Sequence, residues 1–284
     1  MNWKISILFL VLLFCRPDRG MSQDNQEPSF NPHAKGSLFF YWGYNRSAYT
    51  RSNIRFEGPR YRFELEDVIA RDRQTPFDAD IYLHSTKFTI PQYNISIGYH
   101  LKDGLSLSFN ADHMKYVMVA NQKSKITGFI NVDNSRYSNS YDGELITLTP
   151  DFLEFEHTDG LNYANLELTR FCEVRASQNG KLILGCFGGV ASGLMIPKSN
   201  VKFLGEGSDK FHIAGFGMST DVGLSLTLWK CLGFQYKVKG GYINMPDILI
   251  NTRAMPNRAK QEFWFIEHSL SIGAVVPINV NKQR

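Results

Sequence analysis

Between Tyr93 and Met118 the chain alternates polar and apolar residues, turns once at Lys102-Asp103-Gly104, and alternates again. Successive strand residues point to opposite faces, so this pattern gives a long hairpin with one apolar and one polar side. In its first arm Tyr93, Ile95, Ile97, Tyr99 and Leu101 share a face, and Asn94, Ser96, Gly98 and His100 the other. In its second arm Leu105, Leu107, Phe109 and Ala111 oppose Ser106, Ser108, Asn110 and Asp112. The same period recurs in Leu161 to Ala176, Lys181 to Leu194, Phe211 to Trp229, Leu232 to Asn244 and Glu262 to Val276. Ser37 to Tyr49 (SLFFYWGYNRSAY) is extended as well, but bulky on both faces, so its parity is open.

These eight segments run well beyond the 5 or 6 residues usual for a globular strand. A tilted strand needs about 9 to 11 residues to cross a bilayer. The connections sort as well. Those at 102–104, 177–180 and 230–231 are tight, and those at 50–90, 119–160, 195–210 and 245–261 are long, in strict alternation. Short turns on one side and long loops on the other mark a transmembrane barrel, and a soluble sandwich has no reason to sort them so. The expected fold is therefore all-β: a closed antiparallel up-and-down transmembrane β-barrel of about eight strands. A secreted soluble lipid-binding barrel is the inverse arrangement, apolar inside and polar outside. Parity alone does not separate the two; strand length and loop sorting favour the membrane.

The start of the chain agrees. Lys4 precedes the apolar run Ile5 to Phe14 (ISILFLVLLF), too short to span a bilayer as a helix, and Gly20 and Ser22 form a small-x-small pattern. We expect a signal peptide over 1–22, a periplasmic N-terminal segment over 23–36 and the barrel over 37–284. Cys15 raises a lipoprotein reading, which the bulky Phe14 before it opposes. Removing 1–22 leaves 28 basic and 26 acidic residues, a balance of +2. That is no footprint for nucleic acid. The remaining Cys172, Cys186 and Cys231 are too few for a disulfide scaffold. Cys172 and Cys186 face each other if the 177–180 hairpin is tight, and serve there as small apolar filler.

With this pattern in hand the chain resembles the small outer-membrane β-barrel proteins of Gram-negative bacteria. FFYWGYNRSAYTRSNIRF, ADHMKYVM and LEFEHTDGLNYANLEL look like an uncharacterised Bacteroidetes branch of that group. The resemblance implies an outer-membrane location and a monomer surrounded by lipid and lipopolysaccharide. It also implies folding by the barrel-assembly machinery, with no cofactor. One feature departs from it: such chains often end on an aromatic residue, whereas this one ends VPINVNKQR, with Val275 or Val276 near the last barrel position.

Parity directs Asp112, Glu167, Glu173, Asp221, Lys237 and Lys239 inward, with Glu267 following if the last strand keeps register. Eight strands enclose just enough room for side chains. Buried charges must be paired, so an ion-paired plug is the expectation and a narrow gated pore the alternative. Seven histidines follow the signal: His33, His84, His100, His113, His157, His212 and His268. His100 faces inward near a tight turn, while His113 and His268 fall on the apolar face.

A lipid-facing histidine directs attention to the eight-stranded lipid A deacylases, which carry a His-x-Ser pair and a distant acid on the outer wall. Here Asp159 stands two after His157, and Leu270 two after His268. Ser269 directly follows His268 and therefore points to the other face. His113, His157 and His268 remain candidate catalytic residues of a lipid A-modifying acyl hydrolase, without the nucleophile such chemistry needs. Glu156, His157 and Asp159 fit a loop anchor better than an incomplete metal site. In 50–90, Arg51, Arg55, Arg60, Arg62, Arg71 and Arg73 mix with Glu57, Glu64, Glu66 and Asp67. This reads as a self-paired solvated loop, with RYRFELEDVIA extending strands and the arginines within reach of lipopolysaccharide phosphates. Trp42, Tyr44, Tyr116, Trp229 and Trp264 suit interfacial girdles.

Overall fold

The computed structural model describes residues 30–82, 87, 90–250 and 257–277. The expected signal segment and His84 lie outside them. Eight long strands pair in sequence order: β1 (Ser37–Tyr49), β5 (Tyr93–Lys102), β6 (Leu105–Met118), β9 (Leu153–Ala176), β10 (Leu182–Met195), β13 (Gly215–Leu228), β14 (Leu232–Leu249) and β15 (Arg258–Pro277). Every neighbouring pair is antiparallel. β15 then returns to β1 over thirteen residue pairs, Ser37 opposite Pro277 and Tyr49 opposite Phe265. The pairings thus form a ring of eight.

The tight connections lie at one end of this ring. At the first, Gly104 has φ 67°, and a Cβ there would meet the Phe171 carbonyl. A left-handed backbone this crowded needs glycine. The described part of the N-terminal segment tucks against the same end: the Gly104 amide donates to the His33 carbonyl at 2.8 Å and the Gly36 amide to the His100 carbonyl at 2.9 Å.

At the other end the long connections are mostly strands. β2 (Ser52–Gly58) and β3 (Tyr61–Val68) form a hairpin on the upper part of β15, and β3 continues into β7 (Lys123–Ile130) and β8 (Asn139–Thr147). β4 (Ala70–Arg71) adds to the top of β6. β11 (Lys198–Phe203) adds to the top of β9, with β12 (Glu206–Phe211) beyond it. Two sheets therefore rise from the ring and face each other as a distal sandwich. Its core joins Phe56 and Phe63 of one sheet to Phe155 and Phe203 of the other, with centroids 6.0 Å apart for Phe56–Phe155 and 5.3 Å for Phe63–Phe203. The largest apolar core of the chain lies here, above the ring.

Several sequence expectations change. The segment expected from Phe211 begins at Gly215, because Phe211 ends β12. The segment expected from Leu161 begins at Leu153, since β9 also carries the sandwich. Within 50–90, residues 52–68 form a hairpin with a buried apolar face rather than a solvated loop, although Arg55 does pair with Glu64 at 2.8 Å on its exposed side. Glu173 is exposed: it keeps Gly185 as its partner but stands near the tight-turn end of β9, just before the register shift at Leu184/Gly185. Cys172 stands opposite Cys186, whose thiol is free.

Candidate functional site

The middle of the ring is polar inside. Its inward positions include Ser108, Asn110, Asn165, Thr169, Ser225, Thr227 and Gln235, all buried. At their centre, Lys239 of β14 places Nζ 2.5 Å from Asp112 Oδ2 of β6 and 3.6 Å from Glu167 Oε2 of β9. Lys237 Nζ lies 2.8 Å from Glu167 Oε1. Asn94 donates to Asp112 at 2.6 Å and to Glu267 at 2.9 Å, and Asn165 donates to Asp112 at 3.2 Å. Asp221 stands directly opposite Lys239 in the β13–β14 register. The structure thus brings together Asp112, Glu167, Asp221, Lys237, Lys239 and Glu267 from five strands. Four carboxyl groups share two ammonium groups. A cavity of about 20 Å³ remains beside them, lined by residues including Tyr41, Asn94, Asp112, Gln235 and Lys237. That is room for about one water molecule. Tyr41 crosses toward β14, where a Cβ on Gly233 would meet its hydroxyl.

Aromatic side chains lie at both ends of this interior. At the tight-turn end, His33 stacks on Phe171 at 4.3 Å, and Phe171 meets Phe187 at 5.2 Å. Burial, with His100 beside it, pulls the His33 imidazole down to about 3, so the ring is neutral in ordinary buffers. At the other end sits the aromatic core of the sandwich. Between ring and sandwich lies a small polar layer. Gln261 Nε2 donates to the Tyr116 hydroxyl at 2.6 Å and to Ser52 Oγ at 2.9 Å. His157 Nδ1 is 2.8 Å from Ser199 Oγ.

The three candidate histidines occupy three different places. His157 is fully buried, burial pulls its pKa down to about 3, and it braces β9 against β11 through Ser199. Its sequence neighbours turn elsewhere: Glu156 accepts from Asn200 at 2.8 Å and pairs with Arg73 at 3.1 Å, while Asp159 pairs with Lys198 at 2.7 Å. His113 stacks on Tyr93 at 4.8 Å with its Nδ1 2.8 Å from Asn162 Oδ1. His268 lies on the outer wall, its Nδ1 2.8 Å from the Tyr236 hydroxyl, in an uninterrupted register from Leu232 to Met245. Ser269 beside it is buried on the inner side. A fourth histidine, His212, joins Asp247 at 2.7 Å, and Asp247 also holds Arg258 at 2.6 Å, tying the β12–β13 connection to β14 and β15. Sequence reading did not single out His212 or Ser199, because their partners come from distant strands.

The outer wall is the reverse of the interior. Every ring strand contributes large exposed apolar side chains, among them Phe40, Ile97, Phe109, Leu166, Val190, Leu224, Tyr236 and Leu270. On β15 the outward positions run Trp264, Ile266, His268, Leu270, Ile272, Ala274 and Val276. That run covers about 30 Å along the ring axis, from the rise per residue and a tilt of about 40°.

No protein-family model and no curated protein matches the chain. Among solved structures it is similar to the Neisserial surface protein A, at 11% identity over 86% of this chain and 98% of that one, with a TM-score of 0.34. It is also similar to the outer membrane protein OprG from Pseudomonas aeruginosa, at 9% identity over 87% and 99%, TM-score 0.35. A third is Ail, the attachment invasion locus protein of Yersinia pestis, at 8% identity over 85% and 99%, TM-score 0.29.

Proposed function

We propose that the chain is an integral outer-membrane β-barrel of the Bacteroidetes type of small Gram-negative barrel, a monomer with a plugged polar interior. The observation that carries this reading is the continuous apolar outer wall around a polar, charged inside. Soluble monomers rarely expose contiguous apolar patches beyond a few hundred Å². A barrel in lipid needs such a wall, about 25 Å tall and edged by aromatic girdles. Trp264 and Tyr242, 5.3 Å apart, mark the distal edge, and exposed Trp229 marks the tight-turn edge. The ion network and the aromatic side chains at both ends favour a plug over a gated pore. Function then falls to the distal sandwich, which stands outside the bilayer as a rigid platform for structural or surface-interaction roles. Lipopolysaccharide surrounds it, and the barrel-assembly machinery inserts it.

The soluble lipid-carrier reading needs an apolar cavity, and the interior here is polar and filled. The hydrolase reading needs an accessible nucleophile beside a base. The serine beside His157 is buried with it, and the partners of His113 and His268 are an asparagine and a tyrosine.

Protein extracted from outer membranes in mild detergent will migrate faster unheated than boiled, and its insertion into planar bilayers will give no steady conductance. Recovery in the aqueous fraction contradicts the membrane reading, and a stable open channel contradicts the plug. Mass analysis of lipid A from overexpressing cells will show an unchanged acyl pattern; loss of one chain would instead support the hydrolase.

A further inference from the structure

Near the distal edge of the mostly apolar outer wall stand two exposed polar side chains from neighbouring strands. Arg46 of β1 and His268 of β15 are direct cross-strand partners, and both are exposed. Residues opposite each other on one face have Cβ atoms about 5 Å apart. The guanidinium of Arg46 carries its charge on a lipid-facing wall, where a charge is costly. Among the described residues Arg46 makes no ion pair and no side-chain hydrogen bond, and Asp72 is the carboxyl group that feels its charge. Burial already raises that carboxyl, and its Oδ2 accepts from the Ser47 amide at 3.1 Å.

The geometry points to a binding site for the phosphate of an outer-leaflet lipid A molecule, built by Arg46 and His268 and oriented by Tyr236. This deepens the outer-membrane reading and rests on it. Arg46 lies eight residues along β1 from Leu38, which is exposed at the start of the apolar wall. That places it about 20 Å up a band about 25 Å tall, at headgroup height. A guanidinium there offers a planar fork that fits two phosphate oxygens. In the tautomer where the Tyr236 hydroxyl, 2.8 Å away, donates to Nδ1, the imidazole carries its proton on Nε2 and offers a second donor beside the fork. The acyl chains of the same lipid then lie along Leu270, Ile272 and Phe40, which continue this wall toward the tight-turn end. An anion between Arg46 and His268 compensates the guanidinium charge and accepts hydrogen bonds from both side chains. The distal position selects the outer leaflet, and so a phosphorylated glycolipid rather than a phospholipid of the inner one.

Native mass spectrometry of the folded protein in detergent tests this, with bisphosphorylated lipid A, the same lipid A stripped of phosphate, and phosphatidylethanolamine as probes. The wild type is expected to retain bisphosphorylated lipid A at least about tenfold better than either other probe, since a fork-to-phosphate contact outlasts a neutral one. Arg46→Gln should remove that preference, His268→Gln should reduce it about threefold, and Arg46→Lys should keep charge but lose part of the retention. Equal retention of the three probes by the wild type overturns the site, as does unchanged preference in Arg46→Gln. Heat-modifiable migration checks folding of each variant; if Arg46→Gln does not fold, Arg46→Lys and His268→Gln still decide. A wild type that never shows heat-modifiable migration refutes the outer-membrane reading itself. A folded wild type without phosphate preference refutes only the site.

Discussion

Replacing Lys239 by methionine will cost about 3–5 kcal/mol of folding stability, the usual penalty for removing one partner of a buried ion pair. The side chain is only 1% exposed and holds Asp112 at 2.5 Å and Glu167 at 3.6 Å. Without it, four carboxyl groups face the single ammonium of Lys237. Methionine keeps the volume, so packing loss is small and the effect is electrostatic. Urea unfolding of the protein in phosphocholine vesicles reads the change as a lower midpoint at unchanged slope. Adding Asp112→Asn should restore most of the loss, because the carboxylate that Lys239 held is then neutral. The cycle isolates the pair from the rest of the network. A Lys239→Met protein with the wild-type midpoint would mean that the interior is hydrated and that no plug exists.

Phe63→Ala will have a loss of similar size, about 3–5 kcal/mol for a fully buried phenylalanine, but in a different place. Phe63 stacks on Phe56 at 4.8 Å and reaches Phe203 across the sandwich at 5.3 Å. It therefore joins the sheet carried by β15 to the sheet carried by β9. The ring strands do not depend on it: their pairings lie below, and their inner contacts are the polar network. The expected outcome is local loosening, with the distal strands becoming sensitive to added protease while heat-modifiable migration of the ring persists. Cleavage should concentrate within 52–68 and Lys123–Ile130, the distal strands that Phe63 packs among. A ring that unfolds together with the sandwich would show that the two are one cooperative unit and that the platform is not separable.

The eight ring strands were legible because burial on one face imposes period two, and a slip of one residue would move every side chain to the wrong side. Thus Asp112, Glu167, Asp221, Lys237 and Lys239 could be directed inward from alternation alone. What joins them, Lys239 between β6 and β9, could not, because it depends on the curvature that brings β14 across from β6. Glu173 keeps its partner Gly185 yet is exposed, because near the end of the ring alternation no longer decides burial. The sandwich was harder. Ile54, Phe56, Tyr61, Phe63 and Leu65 do alternate on both sides of Gly58-Pro59, a short hairpin signal that the surrounding arginines and glutamates obscure. β8 and β12 have no such face, and β8 is largely exposed, so their place comes only from β7 and β11. His268 was readable on the apolar face, whereas the parity of the first strand, and so of Arg46, was open; their being opposite follows from the ring closing between the first strand and the last.

The central claim is that the outer wall lies in lipid. Nitroxide labels on single cysteines at Leu166, Leu224 and Leu270, on three strands spread round the ring, measure this in reconstituted vesicles, with the native cysteines replaced by serine. All three side chains are more than half exposed. The account predicts that dissolved oxygen relaxes all three labels strongly while a water-soluble nickel chelate leaves them unaffected, and that a label at exposed Lys125 on the sandwich shows the opposite. Nickel relaxation at Leu166, Leu224 and Leu270 equal to that at Lys125 would put the wall in water and contradict it.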